Sequence, residues 1–235
     1  MKVIIQNLRR ALRENADPEV RESTKRFFKE EIKTYGLKSA VAAKIGKEAF
    51  SQIKNTSKAE IFALCDELWR SRYLEETSIA ADWSHRLHKQ FEPADFAIFE
   101  AWIAEHVTNW AACDTFCTHT MGTFLVMYPE HLPRLKIWAA SENRWVRRAA
   151  AVSLILPAKK GLFLPEILEM ATILLLDADD MVQKGYGWML KVAADAHLQP
   201  VFDFVLAHRT EMPRTSLRYA IEKMPKEMKE KAMRK

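Results

Sequence analysis

The chain has 235 residues, 36 Lys and Arg against 31 Asp and Glu, and a formal net charge of +5. Hydrophobic residues make up 49% and charged residues 29%, enough to build a core and too apolar for a disordered chain. There are 6 glycines, where average usage of roughly 7% would give about 16. That leaves few positive-φ turns and phosphate-cradling loops, and argues against a Rossmann domain, a P-loop enzyme or a turn-rich β-sandwich.

At the N-terminus the apolar run Val3 to Ile5 stops at Gln6, so no secretory segment is expected. Asp17-Pro18 reads as an N-cap with proline at the first helical position, opening a helix expected over 19–34. Ser57 with Glu60 has capping-box spacing. Ile61, Leu64, Cys65, Leu68 and Trp69 then form one helical stripe. Similar stripes follow over 95–107, 110–127, 132–140, 145–156, 164–176, 181–194, 200–208 and 214–223, with prolines mostly between them. No stretch alternates with period two through a turn, as a hairpin would. The run from Ala171 to Leu176 is far too short to span a bilayer. Three cysteines make no disulfide framework, and a soluble cytoplasmic protein is expected.

The pairs Tyr73-Leu74, Asn109-Trp110, Trp145-Val146 and Met181-Val182 recur at a constant step, each at the start of a helix after a polar turn. A further helix opens near Met212. The expected fold is all-α: an α-solenoid of HEAT-like helical pairs forming one curved domain over 1–235, with the second helix of each pair lining one face.

Those second helices carry the chemistry. Trp110 and Asp114 are four apart, so the carboxylate lies one turn from the indole on the same face. The next helix carries Arg147 and Arg148, which could equally form structural ion pairs. The one after carries Lys184, Trp188 and Lys191 on one face, with Lys184 expected beside Arg148. Gly185 and Gly187 each cost this helix roughly 1 kcal/mol relative to Ala, so something approaches closely there, another helix or a ligand. Cations suit phosphates, aromatic faces suit bases, sugars or cationic carbon, and a carboxylate among them suits a reaction that develops positive charge. The three converge on N-glycosidic chemistry of nucleic acid. Weaker constellations are Cys113, Cys117 and His119, and His85 with His88, neither of which has a full metal-ligand pattern. Lys159-Lys160-Gly161 reads as a solvated turn.

In these residues the sequence resembles the DNA alkylation-repair glycosylases built of HEAT-like repeats, the AlkD type. The resemblance rests on Asn109 to Asp114, Asn143 to Ala150 and Val182 to Leu190, and extends to Arg26-Phe27-Phe28-Lys29 with Gly36. It implies hydrolysis of the N-glycosidic bond of cationic N-alkylated purines, such as 3-methyladenine and 7-methylguanine, in duplex DNA. Asp114 matches the family's acid, Trp110 and Trp188 its aromatic walls and Arg148 its cleft arginine. Arg147, Lys184 and Lys191 would hold phosphates. It implies no metal or organic cofactor, no membrane, and a monomer. Phenylalanine stands at 27 and 28 where relatives often carry a tyrosine. The alternatives are a repeat protein that binds damaged or branched DNA without chemistry, and a protein-binding solenoid.

Overall fold

The computed structural model describes residues 2–234. The fold is all-α, with no strand among the described residues beyond an isolated bridge between Lys33 and Tyr73. The chain divides into two compact units, Met1–Phe116 and Cys117–Lys235.

The first unit holds α1 (Lys2–Glu14), α2 (Pro18–Lys25), α3 (Ser39–Ile53), α4 (Lys58–Ser71), α5 (Leu74–Arg86), α6 (Asp95–His106) and α7 (Trp110–Phe116). Helices α3, α5 and α7 pack in succession, while α4 packs on α5 and α6. This is the ladder expected of stacked helical pairs, each unable to bury its apolar stripe alone. The stripe read from Ile61 to Trp69 is buried throughout. Around it Phe62, Phe99, Trp102 and Phe116 meet mainly edge to face, with Trp69 against Phe116 at 5.5 Å. Each such side chain taken from water contributes about 1.5–3 kcal/mol.

The second unit opens with a π-helical turn, Cys117–Met121. It continues with α8 (Gly122–Met127), α9 (Arg134–Ala139), α10 (Arg144–Val152), α11 (Ile155–Lys159), α12 (Leu164–Ile173), α13 (Asp180–Ala196), α14 (Leu198–His208), α15 (Arg214–Ile221) and α16 (Lys226–Met233). Here α10, α13 and α15 pack in succession, flanked by the pairs α9–α12 and α14–α16.

The recurring second helices begin at Ser39, Leu74, Trp110, Arg144, Asp180 and Arg214, a repeat of about 35 residues that drifts by one or two rather than holding a constant step. Three starts are fixed by the same device. Asn109 accepts from the Ala112 N–H at 2.9 Å, Asn143 from the Trp145 N–H at 2.9 Å, and Asp179 from the Met181 N–H at 2.8 Å. Each satisfies an amide that the first turn leaves without a partner. Ser57 and Glu60 form the expected capping box, and Asp17 caps α2.

Two helical expectations are corrected. The stretch 19–34 is helical only to Lys25. Beyond it, residues 26–38 run as a shaped loop because the buried Glu75 offers their amides a better acceptor than the next helical turn. The Glu75 carboxylate takes the Thr34 hydroxyl at 2.7 Å and the N–H groups of Tyr35, Gly36 and Leu37 at 3.1, 3.0 and 3.1 Å. Gly36 sits at φ +90 with the Asp17 carbonyl 2.5 Å from where a Cβ would be, so only glycine fits. Next door the buried Glu76 is held by Arg9 at 2.9 Å and by the Tyr35 hydroxyl, which donates at 2.6 Å. Burial and this bond to a carboxylate both push the Tyr35 phenol above its ordinary range. The second correction is the stretch 110–127. It is not one regular α-helix but carries the π turn at 117–121.

Candidate functional site

The sequence-derived residues fall into both units. In the first, Trp110 opens α7 and Asp114 follows one turn later, both half-buried. The Asn109 cap fixes where that helix begins, and therefore which way the indole leaves it. Phe28, from the loop that Glu75 shapes, stacks on the Trp110 ring with centroids 5.1 Å apart and planes 16° from parallel. One indole face is therefore covered and the ring's orientation set. Residues 27–28 were visible in the sequence only as a familiar stretch; that Phe28 braces Trp110 is a long-range contact no local spacing carries.

The tryptophans sort themselves by burial. Trp69, Trp83, Trp102, Trp138 and Trp145 are all core residues. Among the chain's 7 tryptophans, Trp110 and Trp188 alone are half-buried. They are the two that the sequence singled out beside the acid and the lysines.

In the second unit Arg148 is 4% exposed and donates to the Met181 carbonyl on α13. A guanidinium so far from water is tolerable only where its N–H groups have acceptors. Its neighbour across the helices is not Lys184, as expected, but Gly185: a Cβ there would stand 3.3 Å from Arg148 Cγ and 3.4 Å from Nη1. A glycine at this point of α13 lets the arginine lie flat against the helix. Gly187 has the other role raised from sequence, since a Cβ there would meet Ser216 O at 2.8 Å and Tyr219 Cβ at 2.7 Å, the packing of α13 on α15.

The remaining cations are held by acids. Lys184 reaches Asp180 at 3.1 Å, one turn back, and Lys191 reaches Glu222 at 3.0 Å while lying 5.5 Å from the Tyr219 ring centre. Arg147 is tied more firmly. It pairs with Asp177 at 2.6 Å and donates to the Ser141 and Glu142 carbonyls at 2.9 and 3.0 Å. Asp177 also accepts the Asp179 N–H, so Arg147 braces the loop that leads into α13. Lys159 and Lys160 are exposed beside Gly161, which adopts φ +71. Cys113 and Cys117 are buried, and no group of three or more metal-ligating side chains occurs among the described residues. Nor is any helix among them long and apolar enough to cross a membrane.

The family model described as DNA alkylation repair enzyme matches residues 8–224. The chain belongs to that family. Membership carries a role in DNA repair and an interaction with DNA. A solved structure described as a predicted DNA alkylation repair enzyme from Enterococcus faecalis shares the fold, with a TM-score of 0.79 at 15% identity over 90% of this chain and 98% of that one. No curated protein matches the chain. At that identity the likeness to the Enterococcus faecalis protein speaks for the helical scaffold. The roles of Asp114, Trp110, Trp188 and Arg148 in this family member rest on their own chemistry.

Proposed function

We propose that this family member is a DNA glycosylase that hydrolyses the N-glycosidic bond of cationic N-alkylated purines, of the 3-methyladenine and 7-methylguanine type, in duplex DNA. The observation that carries the reading is the pair on α7. A half-buried carboxylate, Asp114, stands one helical turn from one of the two tryptophans that the core does not absorb.

The chemistry asks little of the protein. An N-alkylated purine already bears positive charge, so when the C1′–N bond breaks its electron pair goes to the purine, which leaves neutral without protonation. The deoxyribose takes on oxocarbenium character. An ionised Asp114 stabilises that charge and orients the attacking water, accepting its proton as the C1′–O bond forms. The indoles of Trp110 and Trp188 offer π faces to the developing cation. Arg148, Lys184 and Lys191 hold phosphates and set register without reading sequence. Arg147 serves by holding the loop before α13. No step calls for a metal or an organic cofactor.

The test is release of methylated purines from methylated duplex DNA. Wild type releases base; Asp114→Asn loses at least a hundredfold in rate while its affinity for the same duplex stays within about threefold. Equal release by the two proteins, or none from wild type, sinks the hydrolytic reading and leaves DNA binding alone.

A further inference from the structure

A cavity of about 320 Å³ opens in the first unit on the flank of Trp110. Its walls come from the loop after α2 and from α2, α3, α5 and α7. Phe27, Phe28 and Trp110 supply aromatic surface, and Thr24, Ser78 and Thr115 bring hydroxyls. The volume lies at the small end of the roughly 300–1,000 Å³ typical of ligand cavities. It suits one planar ring system and is too small for a folded peptide segment.

Phe27 borders this space while 77% exposed, the most exposed aromatic ring among the large hydrophobic side chains that face water. A phenyl ring left in water at the lip of a cavity has a π face to give to an incoming ring. Around it the chain is cationic. Lys25, Arg26 and Lys29 flank Phe27 in sequence and are exposed, with Lys25 also within 3.2 Å of Glu22. Exposed cations interleaved with an aromatic ring form the pattern that tracks a phosphate backbone and stacks its unpaired bases.

We propose that this cavity receives one unstacked nucleobase of the bound DNA. Phe27 stacks on the base at the entrance, the hydroxyls of Thr24, Ser78 and Thr115 meet its polar edge, and Lys25, Arg26 and Lys29 hold the adjoining phosphates. The inference rests on the DNA interaction that family membership carries and does not need the hydrolytic reading. It concerns where an unpaired base is lodged, not which bond is cut.

The experiment uses the full chain and two labelled duplexes with no alkylated base. One is fully paired; the other carries a single unpaired 2-aminopurine. Wild type binds the second about tenfold more tightly, and 2-aminopurine emission is quenched on binding as the base stacks on aromatic side chains. Phe27→Ala, and Ser78→Phe at an exposed position that fills the cavity from α5, each bring the preference to within about twofold of unity. Their affinity for the paired duplex stays within about twofold of wild type. Absence of preference in wild type, preference without quenching, or preference unaltered in Phe27→Ala overturns the proposal. Should Ser78→Phe fail to give a native circular dichroism spectrum, Phe27→Ala at its exposed site decides the matter alone. A protein that prefers the unpaired base yet releases no methylated purine keeps this site and loses the glycosidic reaction; the reverse pattern does the opposite.

Discussion

Replacing Glu75 should unfasten the loop that braces Trp110. Glu75 is 5% exposed, and its Oε1 accepts from the Thr34 hydroxyl and the Gly36 and Leu37 N–H groups, while Oε2 accepts from the Tyr35 N–H. It also lies in the first turn of α5, where the helix end is positive and its N-cap, Tyr73, makes no side-chain capping bond. A hydrogen bond to a charged group is worth about 1.5–3 kcal/mol, and a buried amide left without a partner costs about 1–3 kcal/mol. Glu75 also borders the 320 Å³ cavity, so water can replace part of what is lost. The lower values therefore apply, and Glu75→Ala should cost about 3–5 kcal/mol. Glu75→Gln keeps one acceptor oxygen for three of the bonds but turns an amide N–H toward the Tyr35 N–H, at a cost of about 1–3 kcal/mol. Urea denaturation with linear extrapolation measures both. Because the same loop carries Phe28 onto Trp110, base release in Glu75→Gln should slow severalfold with Asp114 untouched. A Glu75→Ala protein within about 1 kcal/mol of wild type would refute the claim that this carboxylate shapes residues 26–38.

The two glycines of α13 should part company. Gly187→Ala drives a methyl into the Ser216 carbonyl, whose backbone cannot yield, and should cost about 2–3 kcal/mol in urea denaturation. At Gly185 the neighbour is the Arg148 side chain, which can move by a few tenths of an ångström, and gained helix propensity of about 1 kcal/mol offsets the crowding. Gly185→Ala should leave stability within about 1 kcal/mol while lowering base release by displacing Arg148. For alkaline pH, the Tyr186 hydroxyl donates to Leu175 O at 2.9 Å and Ser216 Oγ at 2.6 Å. Burial, with Asp177 adding to it and the Ser216 bond opposing, pushes its phenol from 10.0 up to about 12. A folded pKa above the unfolded one means a contribution fully present below pH 10 and lost as pH rises toward 12. Tyr186→Phe should be less stable than wild type at pH 8, and the gap should narrow by about 2 kcal/mol by pH 12; a constant gap across that range contradicts the assignment.

The sequence by itself determined most of the scaffold, because what fixes a helix is local. The stripe from Ile61 to Trp69, the Ser57 box and the Asx residues before α7, α10 and α13 each act within one or two turns. Trp110 and Asp114 were legible together for the same reason: four residues on a helix define a shared face whatever surrounds them. Tertiary structure decided the rest, wherever two remote segments compete for one group. Glu75 could not be read as the acceptor for amides some forty residues earlier, so the loop at 26–38 was mistaken for helix. Phe28 could not be read as the brace of Trp110. Gly185, not Lys184, lies against Arg148 because helix rotation within a repeat depends on packing between helices and not on residue count. Arg147 looked like a cation for phosphate until Asp177 and two carbonyls claimed it. Periodicity tells which residues share a side of their own helix; which partner waits opposite that side is set by contacts the chain makes only once it has folded.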